Sequence, residues 1–449
     1  MRPRFGLLGL VSRKLSLSEV NLFENSASIF VSRFPYGSEM TTKSSTDKTT
    51  DLCLSSGFRY AGIACGIKES GDPDLALIVS DHPCNAAGVY TQNIVRAACI
   101  EWNEAITPGL AKSVVINSGN ANACTGQAGQ KNVEDTAKNV AKACSNESAT
   151  VESGDVLVLS TGIIGVQLPM ENLQSGIVSA AAELSNDADA FYVAADAICT
   201  SDNARKTTCR SLTVGGQSYS MAAMAKGAGM IGPRMATMLC VVTCDYPLSV
   251  EMAQSMLLTA ANHSFNRISV EGHTSTNDAV ILLCPPPAGG SNEDPQAIAE
   301  VSEALNACCL ELAKMIPADG EGATHLIEIS VRGADDDSTA DQIARIVAGS
   351  NLVKTAITGA DPNWGRIVSA IGILDVQVAI EDVSLTLNGF IVFEGGQPAE
   401  FDAQQVSADM AANFETKIEL VVGQGAGKSL HWTSDLTVDY VRFNSEYTT

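Results

Sequence analysis

Histidine is scarce in this chain, with five residues in 449, and the five are scattered without ligand spacing. Thirteen cysteines are present but no CxxC pair. A structural or catalytic zinc site needs His or Cys ligands at short, paired spacings, so the composition speaks against one. The odd count, and the seating of Cys240, Cys284 and Cys308-Cys309 in apolar or helical runs, reads as reduced thiols used as small hydrophobes. Basic residues are also few, 28 against 51 acids for a net charge of −23, and no basic patch marks the body of the chain. Nucleic acid is thereby excluded as a partner, because phosphate contacts need clustered Lys and Arg. No apolar run is long enough to span a bilayer, so no membrane role is expected.

What is present is material for a large core and two domains: 449 residues, 45% hydrophobic and 18% charged. The first 50 residues differ from the rest. MRPRFGLLGLVSRKLSLS carries Arg2, Arg4, Arg13 and Lys14 before any acid, and the Ser/Thr-rich TTKSSTDKTTD follows. A basic, acid-poor, Ser-rich leader predicts an organellar transit peptide over residues 1–50, ending in a linker, with a disordered tail as the alternative. Beyond it, LALIVSD, SVVINSGN and DVLVLSTG read as strands that end in small polar residues. KNVEDTAKNVAKAC, residues 170–198, SVEMAQSMLLTAANHSF with Ser249 as N-cap, and PQAIAEVSEALNACCLELAKMI read as helices. HLIEISVRG, ILDVQVAIEDVSLTLNG, TKIELVVGQG and SDLTVDYVRF predict a β-rich tail. The fold class is α/β, layered, with sheets covered by helices.

Six stretches bear on chemistry. KGAGMIGPRMATMLC, residues 226–240, is too rich in glycine for a helix and is blocked at Pro233, then turns apolar as if entering a strand. Thr237 falls at that junction. A threonine hydroxyl is a weak nucleophile unless a base activates it, and cutting the chain before the Thr supplies one as its own α-amine. An ordinary buried threonine is the alternative. STGIIG, after DVLVLS, puts Thr161 and Gly162 at a strand end where a hydroxyl and N–H groups can face developing negative charge. A plain strand-to-helix turn would look the same. NSGNANACTGQAG reads as small-residue packing near a site. Glu321 in DGEGATHLIEI, and Asp361, Asn363, Trp364 and Arg366 in GADPNWGRI, occupy polar turns that predict convergence with Thr237, Lys226 and Thr161 on a small charged substrate. VGQGAGKS imitates a phosphate loop but has Val422 where the pattern requires glycine, and it lies in the β-rich tail.

Taken in order, GFRYAGIACGIKESGDPDLALI, NSGNANACTG, STGIIG, KGAGMIGPRMATML, FNRISVEGHTSTNDAV, ADGEGAT, VKTAITGADPNWGRI and YVRFNSEYTT resemble the ornithine acetyltransferase (glutamate N-acetyltransferase) family from about residue 57 to the end. The resemblance implies the layered fold of self-processing enzymes of the N-terminal-nucleophile kind, and cleavage at Ala236–Thr237 into an α chain, 51–236, and a β chain, 237–449. It implies an α2β2 heterotetramer, no cofactor, and ping-pong transfer of acetyl from N2-acetylornithine to glutamate in arginine biosynthesis. Some members also accept acetyl-CoA. Carried over by position, Thr237 is the nucleophile, Thr161 and Gly162 form the oxyanion hole, and Thr200, Lys226, Glu321, Asn444 and Thr449 bind substrate. The family usually shows two adjacent threonines at Thr200; the second is Ser201 here. Glu271 and His273 replace two common aspartates, and Arg234 replaces a common asparagine beside the scissile bond. The implied address is the mitochondrial matrix, with the plastid as alternative. A hydrolase of the same fold, with water as acceptor, and an uncut amino-acid-binding relative are the competing readings.

Overall fold

The computed structural model describes residues 52–145, 150–232, 238–288, 294–376 and 378–446. The strands, in chain order, are β1 (Phe58–Ile63), β2 (Leu75–Tyr90), β3 (Gly109–Asn120), β4 (Val156–Ile163), β5 (Lys206–Val214), β6 (Gln217–Lys226), β7 (Leu239–Cys244), β8 (Ile268–Ser269) and β9 (Ala279–Cys284). They continue with β10 (Leu326–Ala334), β11 (Ser384–Leu387), β12 (Phe390–Glu394), β13 (Gln397–Pro398), β14 (Glu415–Val421) and β15 (Gly427–Ser434). The helices are α1 (Ala98–Glu104), α2 (Gly126–Cys144), α3 (Met170–Ala182), α4 (Ala188–Ala197), α5 (Val250–His263) and α6 (Pro295–Ala318), then α7 (Asp337–Ala348), α8 (Asn351–Thr358), α9 (Trp364–Ile371), α10 (Ala403–Ala412) and α11 (Val438–Glu446).

Two sheets organise these elements. The first runs β4-β3-β2-β9-β7-β6-β5, with β1 added beside β2; the second runs β13-β12-β11-β14-β10-β15-β8. Alternation along the buried strands sends successive side chains to opposite faces. In β7, Cys240, Val242 and Cys244 pack with α5 and α6, while Leu239 and Val241 join the opposite core that includes Phe191 and Ala194 of α4. The α5–α6 cluster also takes in Leu326 and Trp432 of the second sheet, so these helices share a core with both sheets. That is the layered α/β class the sequence predicts.

Local chemistry explains most element boundaries. Ser249 caps α5 by accepting from the Met252 N–H, and Asp294 with Pro295 opens α6, the 24-residue helix. Residues 170–198 form two helices rather than one, because the chain bends after Ala182 and Asp187 caps α4 through the Ala190 N–H. The tail departs from expectation: SDLTVDYVRF does not extend the β-rich region but ends β15 and forms α11. Its alternating pattern imitates a strand, yet the Thr437 hydroxyl accepts from the Tyr440 N–H and turns the chain into a helix. Among the described residues of ILDVQVAIEDVSLTLNG, only Ser384–Leu387 pairs as a strand. All thirteen cysteines are free thiols.

Candidate active site

The ends of β3, β4 and β6 and the loop before β9 meet at one pocket in the first sheet. Thr161, Gly162, Thr200, Lys226, Glu321 and Asn444 all line it, together with Ala121, Ser201, Met230 and the 275–277 loop. The cavity holds about 140 Å³. Six positions expected from sequence therefore converge, although they are spread over nearly 300 residues. Thr237, the Ala236–Thr237 bond, Arg234 and Thr449 lie outside the described residues. The second polar turn does not join them: Asn363 caps α9 through the Arg366 N–H, and the Arg366 guanidinium donates to the Leu352 carbonyl at 2.9 Å. Asp361, Asn363, Trp364 and Arg366 serve local structure because their turn opens α9 against the second core, away from the pocket.

Gly162 is required by geometry. Its φ is +130°, and an added Cβ would fall within the backbone of Gly119 and Asn120 on the neighbouring strand. The parallel β3–β4 pairing loses its regular register at this point, where Gly119 faces Gly162. NSGNANACTG thus does what its small residues suggest, letting two strand ends approach closely beside the pocket. Asn277 fastens the same junction. Its amide donates to the Ala121 carbonyl at 2.7 Å and the Ser160 carbonyl at 2.9 Å. Removing that amide would leave buried acceptors unpaired, at about 1–3 kcal/mol each.

Glu321 is held in place from three directions. Ser201 donates to one carboxylate oxygen at 2.6 Å and Asn444 to the other at 3.0 Å, while the Glu321 N–H binds the Ala228 carbonyl. Two of roughly four acceptor directions are thereby used, leaving capacity for a ligand cation. Gly229 must lack a side chain, because a Cβ there would overlap the Glu321 carboxylate. Met230 beside it adopts φ 58°, an uncommon conformation for a residue with a side chain.

Lys226 is buried at the end of β6, and an ion triad supports its turn. Asp202 accepts from the Gly227 N–H at 2.6 Å and from the Thr200 N–H at 2.9 Å. Lys206 bridges Asp202 at 2.7 Å and Asp319 at 2.6 Å. Burial opposes the charge on Asp202, but Lys226 and Lys206 outweigh it and hold the carboxyl below its ordinary range. The same carboxylate pulls the Lys206 ammonium above its usual value despite burial.

Asp278 is fully buried and accepts from the Met238 N–H at 3.0 Å, one residue beyond Thr237 in the chain. Burial pushes its carboxyl up to about 8, against the partial relief of the Met238 N–H and nearby Lys226. Sequence reading missed Ser201 as a partner of Glu321, and also Asp202, Asn277 and Asp278. The only signal for the last two was their place in HTSTNDAV, read there as part of a resemblance. Among the described residues, no group of His, Cys, Asp and Glu could hold a metal ion.

Comparison with known proteins agrees with the motifs. The sequence model described as the ArgJ family matches residues 59–449. The arginine biosynthesis bifunctional protein ArgJ of Rhodopirellula baltica is 49% identical, the match covering 91% of this chain and 99% of that protein. The ArgJ protein of Synechococcus sp. is 44% identical, over 88% of this chain and 96% of its own length. A Physcomitrium patens relative, the same bifunctional protein named as chloroplastic, is 40% identical over 88% of this chain and 76% of that protein. The mitochondrial address implied by the family resemblance is overturned by this set, in which bacterial and cyanobacterial relatives stand at 41–49% identity. Nor do the relatives support reading residues 1–50 as a mitochondrial transit peptide, and those residues lie outside the described ones.

Proposed function

The chain belongs to the ArgJ family, and from that premise we propose how its residues carry out the reaction. It is a glutamate N-acetyltransferase of arginine biosynthesis, and its substrates are N2-acetylornithine and glutamate. In our reading the chain breaks itself at Ala236–Thr237, giving segments 51–236 and 237–449 and freeing the α-amine of Thr237. That amine takes the hydroxyl proton as Thr237 Oγ attacks the acetyl carbonyl of N2-acetylornithine. The oxyanion forms against Thr161 and Gly162 and collapses with loss of ornithine, which leaves with the proton held by the amine. The amino group of glutamate then attacks the acetyl-threonine ester, and the Thr237 hydroxyl is restored as N-acetylglutamate departs.

The observation that carries this reading is the convergence of Thr161, Gly162, Thr200, Lys226, Glu321 and Asn444 on one pocket. Lys226 supplies a buried cation for the α-carboxylate common to both substrates. Glu321, oriented by Ser201 and Asn444, accepts from the ornithine side-chain ammonium. Residues from both sides of the expected cut line the pocket, so the two segments have to stay together after it. The six-position pairing of β6 with β7 spans the break and does that. The α2β2 assembly and acetyl-CoA as a second donor rest on the family resemblance alone. Light scattering tests the first, and N-acetylglutamate formation from acetyl-CoA without acetylornithine tests the second.

Family membership stands against the hydrolase alternative, which predicts ornithine release that does not need glutamate. Steady-state kinetics with both substrates varied test the proposal. Parallel double-reciprocal lines are expected for a covalent acetyl intermediate, and intersecting lines would reject it.

A further inference from the structure

A second polar pocket lies away from the first, on the other sheet, and its charge is opposite to that of the chain. Arg267, just after α5, Arg332 on β10 and Lys428 on β15 line a cavity of about 340 Å³, with His263 at the end of α5 and the hydroxyl-bearing Ser330. Arg332 and Lys428 face each other directly in the β10–β15 register. Like charges in that arrangement repel and weaken a strand pair unless something neutralises them. Among the described residues, none of Arg267, Arg332 and Lys428 has an ion-pair partner. One carboxylate, Asp337, lines the pocket, and its Oδ1 already accepts the Lys428 N–H at 2.8 Å. The nearby Asp341 is taken up by Arg345 at 2.6 Å. In a chain with 51 acids and 28 bases, this pocket keeps three bases against one acid.

The positive field extends inward. His431, buried beneath on β15, has its imidazole pushed down to about 3, by burial first and then by Arg345 and Arg267. Lys428 and Ser429 also end VGQGAGKS, the stretch that imitates a phosphate loop. Its glycines have a different cause, since Cβ atoms at Gly425 and Gly427 would overlap the backbone of Ala334 and Asp336. The loop joins two strands and opens no helix, so a nucleotide phosphate loop is excluded while the cation it delivers remains.

We propose that this pocket is an anion site that takes a phosphate group, free or as a small phosphate ester, between Arg332 and Lys428 with Arg267 at its side. Two planar guanidinium forks and an ammonium suit a dianion with several acceptor oxygens better than a single carboxylate. Neutralising the Arg332–Lys428 pair would also remove the cross-strand repulsion, so ligand and sheet stability are coupled.

Calorimetric titration of the whole chain with inorganic phosphate and with glycerol 3-phosphate, at low salt, tests the proposal. Saturable binding at one site per chain is expected for at least one probe. Tighter binding of the ester identifies an organic phosphate as ligand, and equal binding identifies free phosphate. The Arg332→Gln/Lys428→Gln variant, or Lys428→Gln alone should the double variant fail to fold, should weaken binding by about tenfold or more. Without ligand the variant should melt no lower than the unaltered protein, and only the unaltered protein should gain Tm with phosphate. No saturable binding of either probe by about 10 mM, or affinity unchanged in the variant, overturns the assignment.

Discussion

At Gly162 and at Gly427 the chain faces the same steric problem, a strand end pressed so closely against neighbouring backbone that no Cβ fits. The surroundings differ. Around Gly162 lie buried polar groups, Thr161, Asn277, Asp278 and Lys226, with Asn277 bonded across more than a hundred residues, and the junction opens on a cavity. Around Gly427 the backbone of Asp336 closes the gap, and the exposed Lys428 projects to a different pocket. The contrast teaches that a glycine-rich turn is not by itself evidence of a site. What separates the two is the buried hydrogen-bonding network, which costs stability unless every partner is present and so persists where geometry matters.

Predictions that break or sharpen this contrast follow from the chemistry of each region. Thr161→Ala should reduce kcat by about 10²–10³ while leaving the fold intact, if its hydroxyl meets the oxyanion. Steady-state kinetics with a parallel melting curve decide it, and unchanged turnover removes Thr161 from the machinery. Glu321→Gln keeps the hydrogen bonds to Ser201 and Asn444 in part but removes the charge. It should raise KM for N2-acetylornithine by about tenfold, with a smaller effect on glutamate. Equal effects on both substrates would mean that Glu321 acts on packing rather than on the ornithine ammonium.

Gly427→Ala, in contrast, should cost about 1–3 kcal/mol of stability and leave KM and kcat within error, as overpacking does at a site remote from chemistry. A fall in kcat would show that the second sheet edge is coupled to the first. The last prediction concerns Asp278. Its carboxyl lies at about 8 in the folded chain, far above its unfolded value, so the folded state holds a proton that the unfolded state releases. Its contribution is fully present below the unfolded pKa of about 4 and is lost as pH rises through about 8. Asp278→Asn mimics the protonated form. It should flatten that part of the stability curve, seen as urea midpoints that fall less between about pH 5 and 8 than those of the unaltered chain. Parallel curves would place the ionisation elsewhere.

The layered class, the long α6, the Ser249 cap and the strand-end seats of Thr161 and Gly162 were legible because each rests on local periodicity or turn chemistry. Lys226 and Glu321 stood out as charges in small-residue turns, Asn444 only as a position in a family motif, and the pocket brings all three together. The supporting groups were not legible. Asn277 acts on Ser160 and Ala121 across 117 and 156 residues, and Asp202 acts on Lys226 through a turn, distances at which sequence carries no geometric signal. The tail misled because L-T-V-D-Y alternates as a strand does, while a single hydroxyl at Thr437 settles the helix. The Asp361–Arg366 turn misled because capping residues and ligand-binding residues are the same types.

The claim that the first pocket exists to serve a freed threonine is tested most directly by intact-mass measurement. The purified chain would be measured before and after incubation with N2-acetylornithine in the absence of glutamate. The account predicts two polypeptides, the second beginning at Thr237 and gaining the mass of one acetyl group that glutamate then removes. A single uncut polypeptide, or a cut one that never takes up acetyl, would contradict it.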